Sequence, residues 1–101
     1  MRAHIFANYG VLGNEYRTVY TIAPHCHAKV SEQITVDIPS EYNPCTNDSG
    51  EIVINIPGMP WAYTLQEAIG TIDGFPAICW FDGGKNHRQM LRVIDGADQL
   101  V

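Results

Sequence analysis

The chain has 101 residues, 46% of them hydrophobic and 10% aromatic, and a formal net charge of −5. Its length points to one domain spanning residues 1–101, and its composition is that of a folded globular protein, which excludes a disordered chain. A chain of this size buries roughly two-thirds of its unfolded surface, so folding requires neither a metal nor a disulfide, and no cofactor is expected.

The charge is unevenly spread. Between Lys29 and Lys85 there is no lysine or arginine, and the interval holds Glu32, Asp37, Glu41, Asp48, Glu51, Glu67, Asp73 and Asp82. Positive charge returns at Lys85, Arg88 and Arg92. An acidic body is repelled by a phosphate backbone, so direct nucleic-acid binding is not expected. The acidic interval reads either as a solvated surface or as a negative face for a basic protein partner. Three widely spaced cysteines, Cys26, Cys45 and Cys79, imply reduced thiols and a cytoplasmic setting. Ala3-His4-Ile5-Phe6 is too short for a secretory core, and no apolar run reaches membrane-spanning length. Asn47-Asp48-Ser49 is a glycosylation sequon in form only, since no secretory route is expected.

In chain order, Arg2 to Tyr9 alternates weakly and reads as a first strand. Gly10 to Asn14 reads as a loop, and Tyr16 to Ile22, rich in β-branched and aromatic residues, as a second strand pairing with the first. Ile34, Val36 and Ile38 alternate with Thr35 and Asp37 in a third strand that Pro39 ends. Ser40 to Gly50 reads as a polar loop joining it to a fourth strand as a long hairpin, and in Glu51 to Ile56 the isoleucines 52, 54 and 56 share a face. Pro57-Gly58 predicts a type II turn. Thr64-Leu65-Gln66-Glu67 matches a capping box, and Gly70 is expected to close the short helix in the left-handed conformation. So short a helix must dock on the sheet through Leu65 and Ile69.

Phe75 to Phe81 is apolar on both faces, with Phe75, Ala77, Cys79 and Phe81 on one and Ile78 and Trp80 on the other, as expected of a central strand covered on both sides. Asp82 to Asn86 predicts a hairpin into a last strand from Arg88 to Ile94, and Gly96 to Val101 a frayed tail. The expected fold is α+β: about six mainly antiparallel strands in one curved sheet with one short helix, or alternatively a small open β-barrel.

Few residue groups point to chemistry. His25-Cys26-His27 is the only cluster of metal-ligand types. In an extended segment its two imidazoles point the same way, but a zinc site needs two more ligands, for which His4, Cys45 and His87 are the candidates. Cys26 beside histidines also fits an activated thiolate, although neighbours on a strand do not face each other. Gly83-Gly84-Lys85 lacks phosphate-loop spacing and joins two strands. Met59-Pro60-Trp61-Ala62-Tyr63 places two large aromatics in a connecting loop. Trp61 there either covers the core edge over the helix or, with Tyr63, anchors a protein partner. Tyr9, Tyr16, Tyr20 and Tyr42 are candidates to extend such a surface.

In general character, being short, acidic, single-domain and free of motifs, the chain resembles small accessory proteins of phages and mobile elements, among them anti-CRISPR and other anti-defence inhibitors. That resemblance implies a non-enzymatic protein-binding module that blocks a basic, nucleic-acid-handling partner, with Trp61, Tyr63, Glu32, Asp37, Glu41, Asp48 and Glu51 as binding residues. Two other readings stand beside it: a metal-binding or thiol-dependent domain built on His25, Cys26 and His27, and a small-molecule module with a pocket between helix and sheet. An unpaired edge strand near Arg2 or Arg88 would support a homodimer.

Overall fold

The computed structural model describes residues 1–10 and 17–94. The expected loop beyond Gly10, Tyr16 and the expected tail from Gly96 lie outside the described residues. The elements in order are β1 (Arg2–Tyr9), β2 (Thr18–Thr21), β3 (Val30–Asp37), a 3-10 turn (Ser40–Tyr42), β4 (Cys45–Thr46), β5 (Ile52–Ile54), β6 (Tyr63–Thr64), α1 (Leu65–Ala68), β7 (Ile69–Ile72), β8 (Phe75–Asp82), β9 (Lys85–Met90) and β10 (Arg92–Ile94).

All pairing is antiparallel, but the strands form three sheets instead of one: β10-β3-β1-β2, β4-β5-β6 and β7-β8-β9. None of them closes into a barrel. The first strand spans the expected residues, and Ala3, Ile5 and Ala7 alternate into the core. β3 runs along its whole length, but β2 pairs only with Phe6 to Tyr9, so among the described residues Arg2 to Ile5 have no partner strand on that side. β3 and β5 do not pair with each other. The intervening segment instead contributes Tyr42, buried through its 3-10 turn, and the short strand β4.

The expected last strand is cut in two at Leu91. Its N–H donates to the Pro76 carbonyl at 2.9 Å, closing the pairing with β8, and the chain then crosses to β3 as β10. A segment apolar on both faces thus serves two sheets in succession.

The turn and helix around Pro57 to Ala68 follow local chemistry. The Met59 N–H donates to the Ile56 carbonyl at 3.0 Å, and Gly58 supplies the positive φ of 86° that a type II turn needs. Thr64 and Glu67 form the full capping box. Gly70 does not cap the helix. Ile69 takes that place in extended conformation, and Gly70 lies in β7, where a Cβ would sit 2.8 Å from Cys79 Sγ. The glycine is required by close strand packing, not by a left-handed turn. β7 turns into β8 through Asp73 and Gly74, both at positive φ (49° and 83°), as a two-residue type I′ hairpin requires.

One core draws on all three sheets. Ile5, Val36, Ile38, Tyr42, Ile54, Leu65 and Ile78 are almost wholly buried in one hydrophobic cluster. Each such aliphatic side chain contributes about 1.5–3 kcal/mol by leaving water. The helix docks as expected, with Leu65 buried and Ile69 packed against the cluster.

Candidate functional site

The loop between β5 and β6 carries Trp61 and Tyr63. The rings lie 6.3 Å apart and tilted, and Trp61 is 61% exposed. It does not cover the core edge. Tyr63 is half-buried and lines a groove of about 520 Å³ with Glu67, Cys79, Trp80, Phe81, Asn86, His87 and Arg88. This groove lies between α1 and the β8–β9 hairpin. Its floor is ordered by ring packing: His87 stacks on its cross-strand partner Trp80 at 5.2 Å, and Tyr42 meets Trp80 edge-on at 6.4 Å. The Tyr42 hydroxyl donates to Gln89 Oε1, tying the 3-10 turn to β9.

Acidic groups lie elsewhere on the same sheet and at the start of α1. The Glu67 carboxylate accepts the Thr64 N–H and hydroxyl, both at 2.9 Å, and these bonds hold its pKa below the ordinary value. Glu51 lines a second groove, of about 290 Å³, with Ile22, Ile52 and Thr64 to Gln66. Asp48 shares the β4–β5 loop with Glu51. That loop is shaped by Asn47, whose Oδ1 accepts the N–H groups of Ser49 (3.0 Å) and Glu51 (2.9 Å). Trp61, Tyr63, Asp48 and Glu51 all belong to the β4-β5-β6 sheet and its loops, but the loop with Asp48 and Glu51 lies at the opposite end of β5 from the Trp61 loop, and the carboxylate that shares a groove with Tyr63 is Glu67.

The other acidic candidates lie elsewhere. Glu32 is on β3 and accepts the Tyr9 hydroxyl at 3.3 Å. Asp37 sits across from Arg2 on one side and Arg92 on the other, 3.6 Å from the Met1 amino group, so its charge is locally compensated. Glu41 is exposed on the 3-10 turn. Tyr16 lies outside the described residues, and Tyr9 is half-buried on β1. Tyr20 and Tyr42 do not extend the surface: both are buried, and the Tyr20 hydroxyl donates to the Gly74 carbonyl at 2.6 Å. Burial raises the pKa of both.

The His25 segment is a turn, not a strand. The Ala28 N–H donates to the His25 carbonyl at 3.1 Å, and the His27 N–H donates to His25 Nδ1 at 3.1 Å, which occupies that nitrogen's lone pair. The two imidazoles are 5.7 Å apart. His4 meets Thr35 through Nδ1, His87 stacks on Trp80, and Cys26 and Cys45 are exposed. Among the described residues no three His, Cys, Asp or Glu side chains are placed to hold a metal ion.

The turn is anchored by Asn8, a wholly buried residue of β1 that sequence reasoning missed. Its Oδ1 accepts the His25 N–H (2.9 Å) and the Ser31 hydroxyl (2.7 Å). Its Nδ2 donates to the Val19 carbonyl (2.9 Å) and Thr21 Oγ1 (2.8 Å). An asparagine inside a strand is unusual, and that was its available signal.

Burial pushes the Cys79 thiol pKa up, an effect that nearby Arg88 partly offsets, so the groove presents no activated thiolate. Among the described residues no helix is long and apolar enough to cross a membrane. No family model matches the chain, and no curated protein or solved structure matches it significantly.

Proposed function

We propose that this chain is a non-enzymatic protein-binding module that docks a basic partner through Trp61 and Tyr63, with Asp48, Glu51 and Glu67 as the accompanying charges. The observation that carries this reading is the exposure of Trp61. An indole left in water forgoes the large hydrophobic contribution that aromatic burial provides, and a partner that covers it restores that contribution. Glu67, in the groove beside Tyr63, and Asp48 and Glu51, at the far end of the same sheet, give this side of the molecule a negative field that steers a cationic surface toward it. The finer reading is an inhibitor of the phage or mobile-element type, acting in the cytoplasm on a nucleic-acid-handling protein. Its acidic surface would compete with the phosphate backbone for that protein's basic groove.

Affinity capture with the immobilised chain tests this. A specific basic protein is expected to be retained at low salt, to elute as salt rises, and to be lost from Trp61→Ala and from the Asp48→Lys/Glu51→Lys pair. Capture that neither salt nor these substitutions alter contradicts the proposal.

A second reading has one observation in its favour. The groove between α1 and the β8–β9 hairpin has the volume of a small-molecule site and an aromatic lining with a carboxylate, Glu67, and a guanidinium, Arg88. A compound that raises the melting temperature and shifts the Trp80 and His87 resonances would favour it over the protein-binding reading.

A further inference from the structure

We infer that the free edge of β9 is a strand-addition site for an extended acidic segment of a partner protein, one that carries a carboxylate and an apolar side chain two residues apart, on the same face. The inference does not rest on the Trp61 reading and concerns a partner segment of opposite charge, and its site adjoins that surface, since Asn86 and Arg88 line the same groove as Tyr63 and Glu67.

The argument starts from backbone accounting. β9 is the outer strand of the β7-β8-β9 sheet, and among the described residues it pairs only with β8. Asp82 and Lys85 flank the two-residue turn, and Leu91 N–H bonds to Pro76. In an antiparallel pair bonded and non-bonded positions alternate, so Lys85, His87 and Gln89 direct their backbone groups to β8. Asn86, Arg88 and Met90 direct theirs outward, where an added strand can take them.

The register also fixes the faces. Asn86, Arg88 and Met90 share the sheet face that carries Phe81, Cys79, Ala77 and Phe75. On that face Phe75 is 53%, Phe81 59% and Met90 50% exposed, three large apolar side chains left uncovered. A strand added at β9 would extend the face and lay an apolar residue beside Met90 and a carboxylate beside Arg88.

Charge selects the occupant. Lys85, Arg88 and Arg92 are half of the six lysines and arginines in the chain. Asp82 stands opposite Lys85, but Arg88 stands opposite Cys79 and makes no ion pair among the described residues. β9 carries no carboxylate. Self-pairing of two β9 edges would set only basic and neutral side chains against each other, which argues against a second copy. A carboxylate on the incoming strand supplies what Arg88 lacks.

The test uses two labelled ten-residue peptides, one repeating Glu-Thr-Val-Thr, so that glutamate and valine share one face, and one with lysine in place of each glutamate, titrated by fluorescence anisotropy. The glutamate peptide is expected to bind, and the lysine peptide to bind at least tenfold more weakly. Arg88→Pro removes an outward N–H while leaving the β8 bonds intact, a change an edge strand tolerates. It is expected to weaken binding at least tenfold, whereas Trp61→Ala leaves it unchanged. If Arg88→Pro does not fold, Arg88→Glu is used, and the peptide must shift the amide resonances of Asn86, Arg88 and Met90 in the native chain. Equal binding of both peptides, binding indifferent to Arg88, no binding of the glutamate peptide, or a dimer of the chain abolished by the Arg88 substitution would overturn the inference.

Discussion

The four-stranded sheet β10-β3-β1-β2 and the three-stranded sheet β7-β8-β9 both contain strongly apolar strands, yet they meet water differently. In the first, one face buries Ala3, Ile5, Ala7 and Val36, while the other carries Arg2, His4, Gln33 and Asp37. In the second, Ile78 and Trp80 pack against the core, but the opposite face leaves Phe75 and Phe81 in water. The first sheet is largely amphipathic, although Val30 and Val93 at its margins are exposed. The second carries more apolar surface than the chain covers, as expected where a partner is to be met.

The comparison is broken or sharpened by substitutions on each side of it. Ile5→Ala, on the buried face, is expected to cost about 2–5 kcal/mol through lost transfer energy and a residual cavity. Urea denaturation measures it. Asn8→Ala comes next, at about 1–3 kcal/mol, because the His25 N–H and the Ser31 hydroxyl lose their acceptor. Hydrogen exchange at the His25 amide should quicken in that variant while the β8 amides hold.

Thr64→Ala should cost about 1 kcal/mol by removing the cap hydroxyl. Its penalty depends on pH with a definite sign. The folded state holds the Glu67 carboxyl below its ordinary pKa, so the linked stability is present above that ordinary value. It is lost as pH falls through the lowered folded value, so the gap between native and variant should narrow in acid. Denaturation curves at neutral and acidic pH check this. The smallest effect belongs to the uncovered face: Phe81→Ser is expected to change stability by no more than about 0.5 kcal/mol. A cost near that of Ile5→Ala would mean the face is covered within the chain and would erase the contrast.

Local signals were legible in the sequence wherever they were strong. The β1 alternation, the Pro57-Gly58 turn, the Thr64–Glu67 box and the Gly83-Gly84 hairpin all follow from residue chemistry acting over a few positions. The division into three sheets was not legible, because the break at Leu91 depends on a bond to Pro76, a contact between distant residues. The Asp73-Gly74 turn signal is strong, but the strand before it, Ile69–Ile72, is too short and too close to the helix end to show its own alternation. For Phe75 to Phe81 the pattern correctly marked two apolar faces, but periodicity says which faces are apolar and not what covers them. The same gap separates the Trp61 loop from its role, since composition places two aromatics together and only the fold determines which remains in water.

The central claim is that the acidic aromatic surface around Trp61 is where a partner protein docks. The most direct measurement is the hydrogen-exchange footprint of the chain in complex with the basic protein it captures. The account predicts slowed exchange at residues 47–51 and 61–67, with the β1 and β3 amides unchanged. Protection confined to the turn at His25–His27, with the Trp61 loop exchanging as in the free chain, would contradict it.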